Sequence, residues 1–375
     1  MNATAASGTA FTAGGAPPRN HAALDLLRFG AALFIVLFHY GANAPTPLRE
    51  IAPVFGDGWI ATDFFLMLSG YVLGRAYGRA LDHGRLGAWA FVRRRALRVW
   101  PAHLVVLVGF AAALGLAGWV GGGQPPGKLQ PRRVPAAGRH AARPDRRRAG
   151  RVEHAHLDPI RPARLLPAVP AAVARLAAAA RPPGGALGGA GVLAAAAALS
   201  LVVFGRPLVD IGWGLVRALP LFTAGALLAR FAPSLRLRRA GWVVAVAVLA
   251  IPAAQAQPRS LLADLEVIGG EAVLILAADA WALGGFALAA YLGEIAFALF
   301  LVHEPVSALW FHAVAAEVEQ LGLTRSTQWL LWGLSPAVAV AAAAAFHAAV
   351  DAPLLRLLRG KGLPAPCPAV LPGAL

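Results

Sequence analysis

Three ionisable side chains stand inside long apolar runs. The segment LDLLRFGAALFIVLFHYG sets Arg28 and His39 eleven residues apart, and YLGEIAFALFLVHEPVSAL holds His303. A charged group at the centre of a membrane helix costs about 2.5–3.5 kcal/mol on insertion scales, so such residues mark candidate sites. Imidazole changes charge near neutral pH and is the commonest general base. A guanidinium fork binds phosphate through two parallel hydrogen bonds. Eleven residues of helix advance roughly 16 Å, so Arg28 and His39 belong to opposite ends of one span.

The elements that position these residues are helices in a bilayer. The chain has 375 residues, of which 58% are hydrophobic and only 14% charged, with mean hydropathy +0.62. A soluble domain carries roughly a quarter charged residues. Apolar runs near 22–43, 59–78, 100–121, 186–205, 208–230, 241–257, 264–281, 285–304 and 328–350 each approach the length that crosses about 30 Å of hydrocarbon. The expectation is an all-α polytopic membrane protein with nine recognisable transmembrane helices spanning 21–358. Tails at 1–20 and 359–375 are expected to be disordered. The net charge of +16 fits basic cytoplasmic loops better than a nucleic-acid partner. The single cysteine, Cys367, leaves no disulfide framework and no cysteine metal site.

Arginine placement sets the orientation. Arg75, Arg79, Arg85, Arg93, Arg94, Arg95 and Arg98 follow the second run, Arg236, Arg238 and Arg239 the fifth, and Arg356, Arg359 and Lys361 the last. All three groups are expected in the cytoplasm, with the amino terminus. Residues 44–58 and 305–327 then lie outside. This path needs one more crossing between 122 and 185, a stretch rich in Arg, Pro, Ala and Gly that contains no apolar run. A basic loop is one account of it. A shifted reading frame in a GC-rich gene is another, and it accounts for a tenth helix lost in 122–185.

Four ordered motifs resemble the acyltransferase-3 family of integral-membrane acyltransferases, which O-acylate sugars and other cell-envelope molecules. They are Arg28 with His39; DFFLMLSGYVL at 63–73; FVRRRALRVWP at 91–101; and LGEIAFALFLVHEPV at 292–306. Ala296 and Phe300 stand where the family has Ser and Tyr. The family's central Trp-Ser-Leu-Ser segment is absent from 122–185, one helix short of its usual ten. The resemblance implies a protein of the cell's inner membrane. It implies acyl-CoA, in the simplest case acetyl-CoA, as donor and a carbohydrate or other hydroxyl as acceptor.

On that basis Arg28, Arg95 and Arg98 are expected to bind the donor's phosphates. His39 is expected to deprotonate the acceptor, Asp63 to orient His39, and His303 to complete the catalytic group. No metal is expected. The competing accounts are structural: membrane anchoring for Arg94, Arg95 and Arg98, a helix cap for Asp63, and a packing role for His303. Ser69-Gly70 and Gly293 read as close helix contacts, Pro305 as a helix end, and Asp351 as structural. A polytopic transporter is the rival function, but no inverted repeat stands out. An inactive product of a frameshifted gene is the third possibility.

Overall fold

In a computed structural model, residues 22–82, 88–120, 183–204, 214–232, 237, 239–255, 260–281, 283–284 and 287–360 are described, and they are helical almost throughout. The long helices are α1 (Ala22–Gly41), α2 (Trp59–Asp82), α3 (Ala88–Val120), α4 (Pro183–Phe204) and α5 (Gly214–Phe231). They continue with α6 (Ala240–Gln255), α7 (Leu261–Ala280), α8 (Ala287–Leu321) and α9 (Arg325–Phe346). A π turn, His347–Asp351, leads into the short α10 (Ala352–Gly360).

Each of the nine apolar runs coincides with one long helix. Five stretches, all within described residues, are long and apolar enough to cross a membrane: Ala22–Gly41, Ala96–Ala113, Gly184–Leu201, Ala287–Ala315 and Arg325–Leu358. The expected count of nine or ten spans is therefore not reached by length and composition. The remaining helices are diluted by charge or short. Asp63 and Arg75 on α2, Arg217 on α5, and Asp264 and Asp279 on α7 lower their apolar content. These same residues pair across the helices: Arg217 with Asp63 and Asp264, and Arg75 with Asp279 at 3.7 Å. The 122–185 stretch, where a lost helix was expected, lies outside the described residues up to Pro182, and α4 begins at Pro183.

Two apolar cores organise the helices. One is built by α2, α4, α5, α6 and α7, with Ala23 and Leu24 of α1. The other is built by α1, α3, α8 and α9 around Val36, Tyr40, Ala296, Leu299 and Ala339. The α2–α5 crossing is the closest in the first core. A Cβ on Gly70 would lie 1.9 Å from the Phe222 carbonyl oxygen, and one on Gly225 would lie 1.9 Å from that of Met67. Two facing glycines let the backbones touch, the usual device where lipid gives helices no hydrophobic reason to associate. Gly70 is thus a packing residue, as the sequence suggested.

Proline breaks fewer helices than expected. α3 runs through Pro101 and α8 through Pro305. Residues 305–321, read from the sequence as loop, therefore extend α8 to 35 residues, and His303 lies inside the helix, not at its end. Proline removes one helical hydrogen bond, and neighbouring helices can serve the freed carbonyls in a membrane protein. The carbonyl that Pro305 deprives of a donor is that of Leu301; separately, the Tyr40 hydroxyl of α1 donates to the His303 carbonyl at 2.8 Å. α8 ends at Gly322, whose φ of 59° lets its N–H reach the Val318 carbonyl at 3.1 Å. Thr324 then caps α9 by accepting from the Thr327 N–H at 3.3 Å.

Candidate functional site

α1 and α8 pack along each other, and this brings the two histidines together. The rings of His39 and His303 stand 5.1 Å apart between centroids. Glu304 joins them, with His39 Nδ1 2.7 Å from its Oε1. The side chains of His39 and Glu304 are 40% and 56% exposed, whereas His303 is buried. The group is thus anchored on one side and open on the other. A second tie fixes the pair of helices from α9: Trp332 Nε1 donates to the Tyr40 carbonyl at 2.9 Å.

Hydrogen bonding assigns the protons. A carbonyl only accepts, so the 2.7 Å contact between His303 Nδ1 and the Phe300 carbonyl places the proton on Nδ1. Nε2 of His303 then presents a lone pair, and this buried atom has no hydrogen-bond partner. By the same rule the ionised Glu304 carboxylate accepts from His39 Nδ1–H. Nε2 of His39 is left as the basic nitrogen.

A cavity of about 290 Å³ lies on the far side of Phe300 from this group, and none of the three residues lines it. Arg28 of α1, Ser69 and Phe65 of α2, Arg98 of α3, and Glu294, Phe297 and Phe300 of α8 line it. Phe300 forms the wall towards the histidines, its ring 6.0 Å from that of His303. Both arginines already hold carboxylates. Arg28 Nη1 donates to Asp25 Oδ1 at 3.0 Å. Gly293 makes room for that pair, since a Cβ there would lie 2.6 Å from Asp25 Oδ1. Arg98 Nη1 donates to Asp351 Oδ1 at 2.9 Å, and its guanidinium lies 5.9 Å over the Phe297 ring. His347 approaches Asp351 Oδ2 at 3.1 Å through Nδ1 and Glu294 at 3.8 Å through Nε2. A guanidinium has five N–H donors, so one carboxylate contact does not exhaust it. Arg95 lies on α3, but its side chain falls outside the described residues.

Asp63 is not placed with His39. It is buried in the first core, where Arg217 Nε donates to both of its oxygens at 3.0 Å. Arg217 Nη2 makes a further short contact with Asp63, and Nη1 donates to the Ala197 carbonyl at 2.8 Å and to Asp264 at 3.4 Å. Trp59 lies under the guanidinium at 5.1 Å. The carboxylate beside His39 is Glu304 instead. Its signal in the sequence was its position directly after His303. Arg217 and Asp264 sit in helices that were read only as apolar runs. Asp351, read as structural, holds Arg98, and His347 in turn contacts Asp351.

Residues 21–131 match the acyltransferase-3 family model, described as an acyltransferase domain. This is the family that the four motifs resemble, and the matched stretch contains Arg28, His39, Asp63, Arg95 and Arg98. The chain is also 35% identical over 100 residues to "Protein 2 in picA locus" of Rhizobium radiobacter, an alignment covering 26% of this chain and 47% of that relative. The chain thus spans about half the length of the curated relative it matches. No solved structure matches it. The apolar helices point to an integral membrane protein, and the family match extends over 21–131.

Proposed function

We propose that the protein moves an acyl group, acetyl in the simplest case, from acyl-CoA to a hydroxyl of a sugar or other cell-envelope acceptor. His39 Nε2 takes the proton of the acceptor hydroxyl, whose oxygen attacks the thioester carbonyl. The tetrahedral intermediate collapses, the carbon–sulfur bond breaks, and the leaving thiolate takes the proton back from His39. Glu304 orients His39 and stabilises the imidazolium while it lasts. His303 Nε2, able only to accept, holds the acceptor through another of its hydroxyls. Arg28 and Arg98, with Arg95, bind the donor's phosphates.

One observation supports this best. The same two helices carry both ends of the chemistry. α1 carries Arg28 and His39; α8 carries Glu294, Phe297 and Phe300 on the cavity wall, then His303 and Glu304 in the next turn. A long donor arm can enter from the arginine end and present its thioester beyond Phe300. Release of free thiol from acetyl-CoA by purified protein in detergent, raised by added sugar, is the test. A pure transporter releases none.

The protein is placed in the inner membrane with its amino terminus cytoplasmic. The arginine distribution supports this, and the contact between Arg325 and Thr46 puts the segments after α1 and α8 on one face. A cysteine at Gln320, in a chain carrying Cys367→Ala, is expected to react with an impermeant thiol reagent from outside. Reaction only after permeabilisation reverses the orientation.

A further inference from the structure

We infer that His39, His303 and Glu304 form a binding site for a first-row divalent cation of the zinc class, and that its occupation shuts off acyl transfer. The second half rests on His39 being the base; the first does not.

Three observations support the site. One donor atom from each residue lies within 4.8 Å of the other two. His303 Nε2 is a buried lone pair without a hydrogen-bond partner, on a residue only 5% exposed, and it faces the other two residues at 3.8 Å from Glu304 Oε1. Its other ring nitrogen is held by the Phe300 carbonyl, the arrangement that fixes the tautomer and orientation of metal-bound histidines. The two partly exposed side chains can close the remaining gap by small rotations, because neither is packed in.

The donor set selects the cation. Two imidazoles and one carboxylate match the three protein ligands of catalytic zinc sites, with a fourth position left for water. Imidazole favours zinc, copper, nickel or iron, whereas calcium and magnesium demand oxygen ligands and are not expected here.

The chemistry of inhibition follows from the tautomer. His39 Nδ1 faces Glu304 and carries the proton in the dyad. A cation bound at Nδ1 moves that proton to Nε2, so the basic nitrogen is lost and Glu304 is drawn onto the metal.

Tag-free protein in detergent, titrated with Co²⁺ and then Zn²⁺, tests this. One equivalent of Co²⁺ is expected to give the visible absorption of a tetrahedral complex, displaced by Zn²⁺ but not by Mg²⁺ or Ca²⁺. His303→Ala should lower affinity by about a hundredfold or more, the upper range for disturbing a metal's surroundings. His312→Ala, an exposed histidine further along α8, should leave it unchanged. Glu304→Gln provides a second ligand variant with little risk to folding, since its side chain is mostly exposed. Non-saturable binding, or binding intact in both ligand variants, overturns the site. Zn²⁺ inhibition of thiol release should track occupancy. Full turnover at full occupancy overturns the switch and leaves the site. Cation binding by a chain that shows no acyl transfer at all overturns the acyltransferase reading and the switch together, again leaving the site.

Discussion

Two polar clusters interrupt the apolar cores, and they differ in access. Around Arg217, the residues Asp63, Asp264 and Arg217 itself are all at or below 5% exposure. Around His39, one histidine is buried while its neighbours are 40% and 56% exposed. Both clusters sit in helices where charge is costly, so that cost alone does not separate chemistry from architecture. The Arg217 cluster commits its donors to carboxylates and a carbonyl of other helices, and its residues are buried. The histidine cluster keeps one unpartnered nitrogen and an open side. Access is what marks the reactive site, since buried Glu271 near the Arg217 cluster also has oxygens without a hydrogen-bond partner.

The comparison breaks first at His39. His39→Ala is expected to lower acyl transfer by about two to four orders of magnitude, the usual size of a general-base contribution. Membrane insertion and the thermal transition in detergent should stay as they were, because the ring is part-exposed and bonds only to Glu304. Near-normal turnover would move the base to His303.

The mirror experiment is Asp63→Asn. Removing one charge of a buried pair costs about 3–5 kcal/mol where the partner is left uncompensated, and Asp264 at 3.4 Å offsets only part of that here. The thermal transition should fall sharply, with lost activity following lost fold. A variant that stays as stable but no longer transfers acyl groups would place Asp63 in the chemistry and erase the distinction between the clusters.

How much of this was legible in the sequence follows the same line. Apolar runs located all nine long helices among the described residues, since length and apolarity are local properties. His39 and His303 were legible because each is an imidazole set within an apolar run. The partner of His39 was not. Both Asp63 and Glu304 are acidic residues near the ends of their expected spans, and only the α1–α8 contact chooses between them. The continuation of α8 past Pro305 was hidden for a related reason. Proline is a local stop signal, whereas the packing that carries α8 past it, such as the Tyr40 hydroxyl on the His303 carbonyl, comes from a distant helix. Arg217 was overlooked because the apolar residues around it, Leu215, Val216, Ala218, Leu219 and Leu221, outweighed one charge, and its partners lie on other helices.

Glu304→Gln sharpens the picture within the reactive cluster. The amide can still accept from His39 Nδ1–H but no longer stabilises the imidazolium. A loss of about tenfold to a hundredfold in acyl transfer is expected, the scale of an imperfectly held reacting group. The pH profile should change with it, since the charge beside His39 is gone. An unchanged rate and profile would make the 2.7 Å contact incidental.

The smallest effect is expected at the far end of the cavity. Arg28→Lys keeps a positive charge beside Asp25, so the thermal transition should be preserved. What is lost is the planar fork, which lets one side chain hold Asp25 through one nitrogen and an incoming phosphate through the others. An ammonium must divide three divergent donors between the same two anions. Losing one charge-assisted hydrogen bond corresponds to about 1.5–3 kcal/mol, so donor affinity should fall by roughly tenfold or somewhat more. The effect should appear in KM for acyl-CoA and leave kcat nearly unchanged, because Arg28 stands a full span away from the proton transfer. Unchanged donor affinity would reduce Arg28 to the partner of Asp25. The Arg28 pair would then resemble the sealed Arg217 cluster more than the reactive one, and Arg98 and Arg95 would remain to receive the anion.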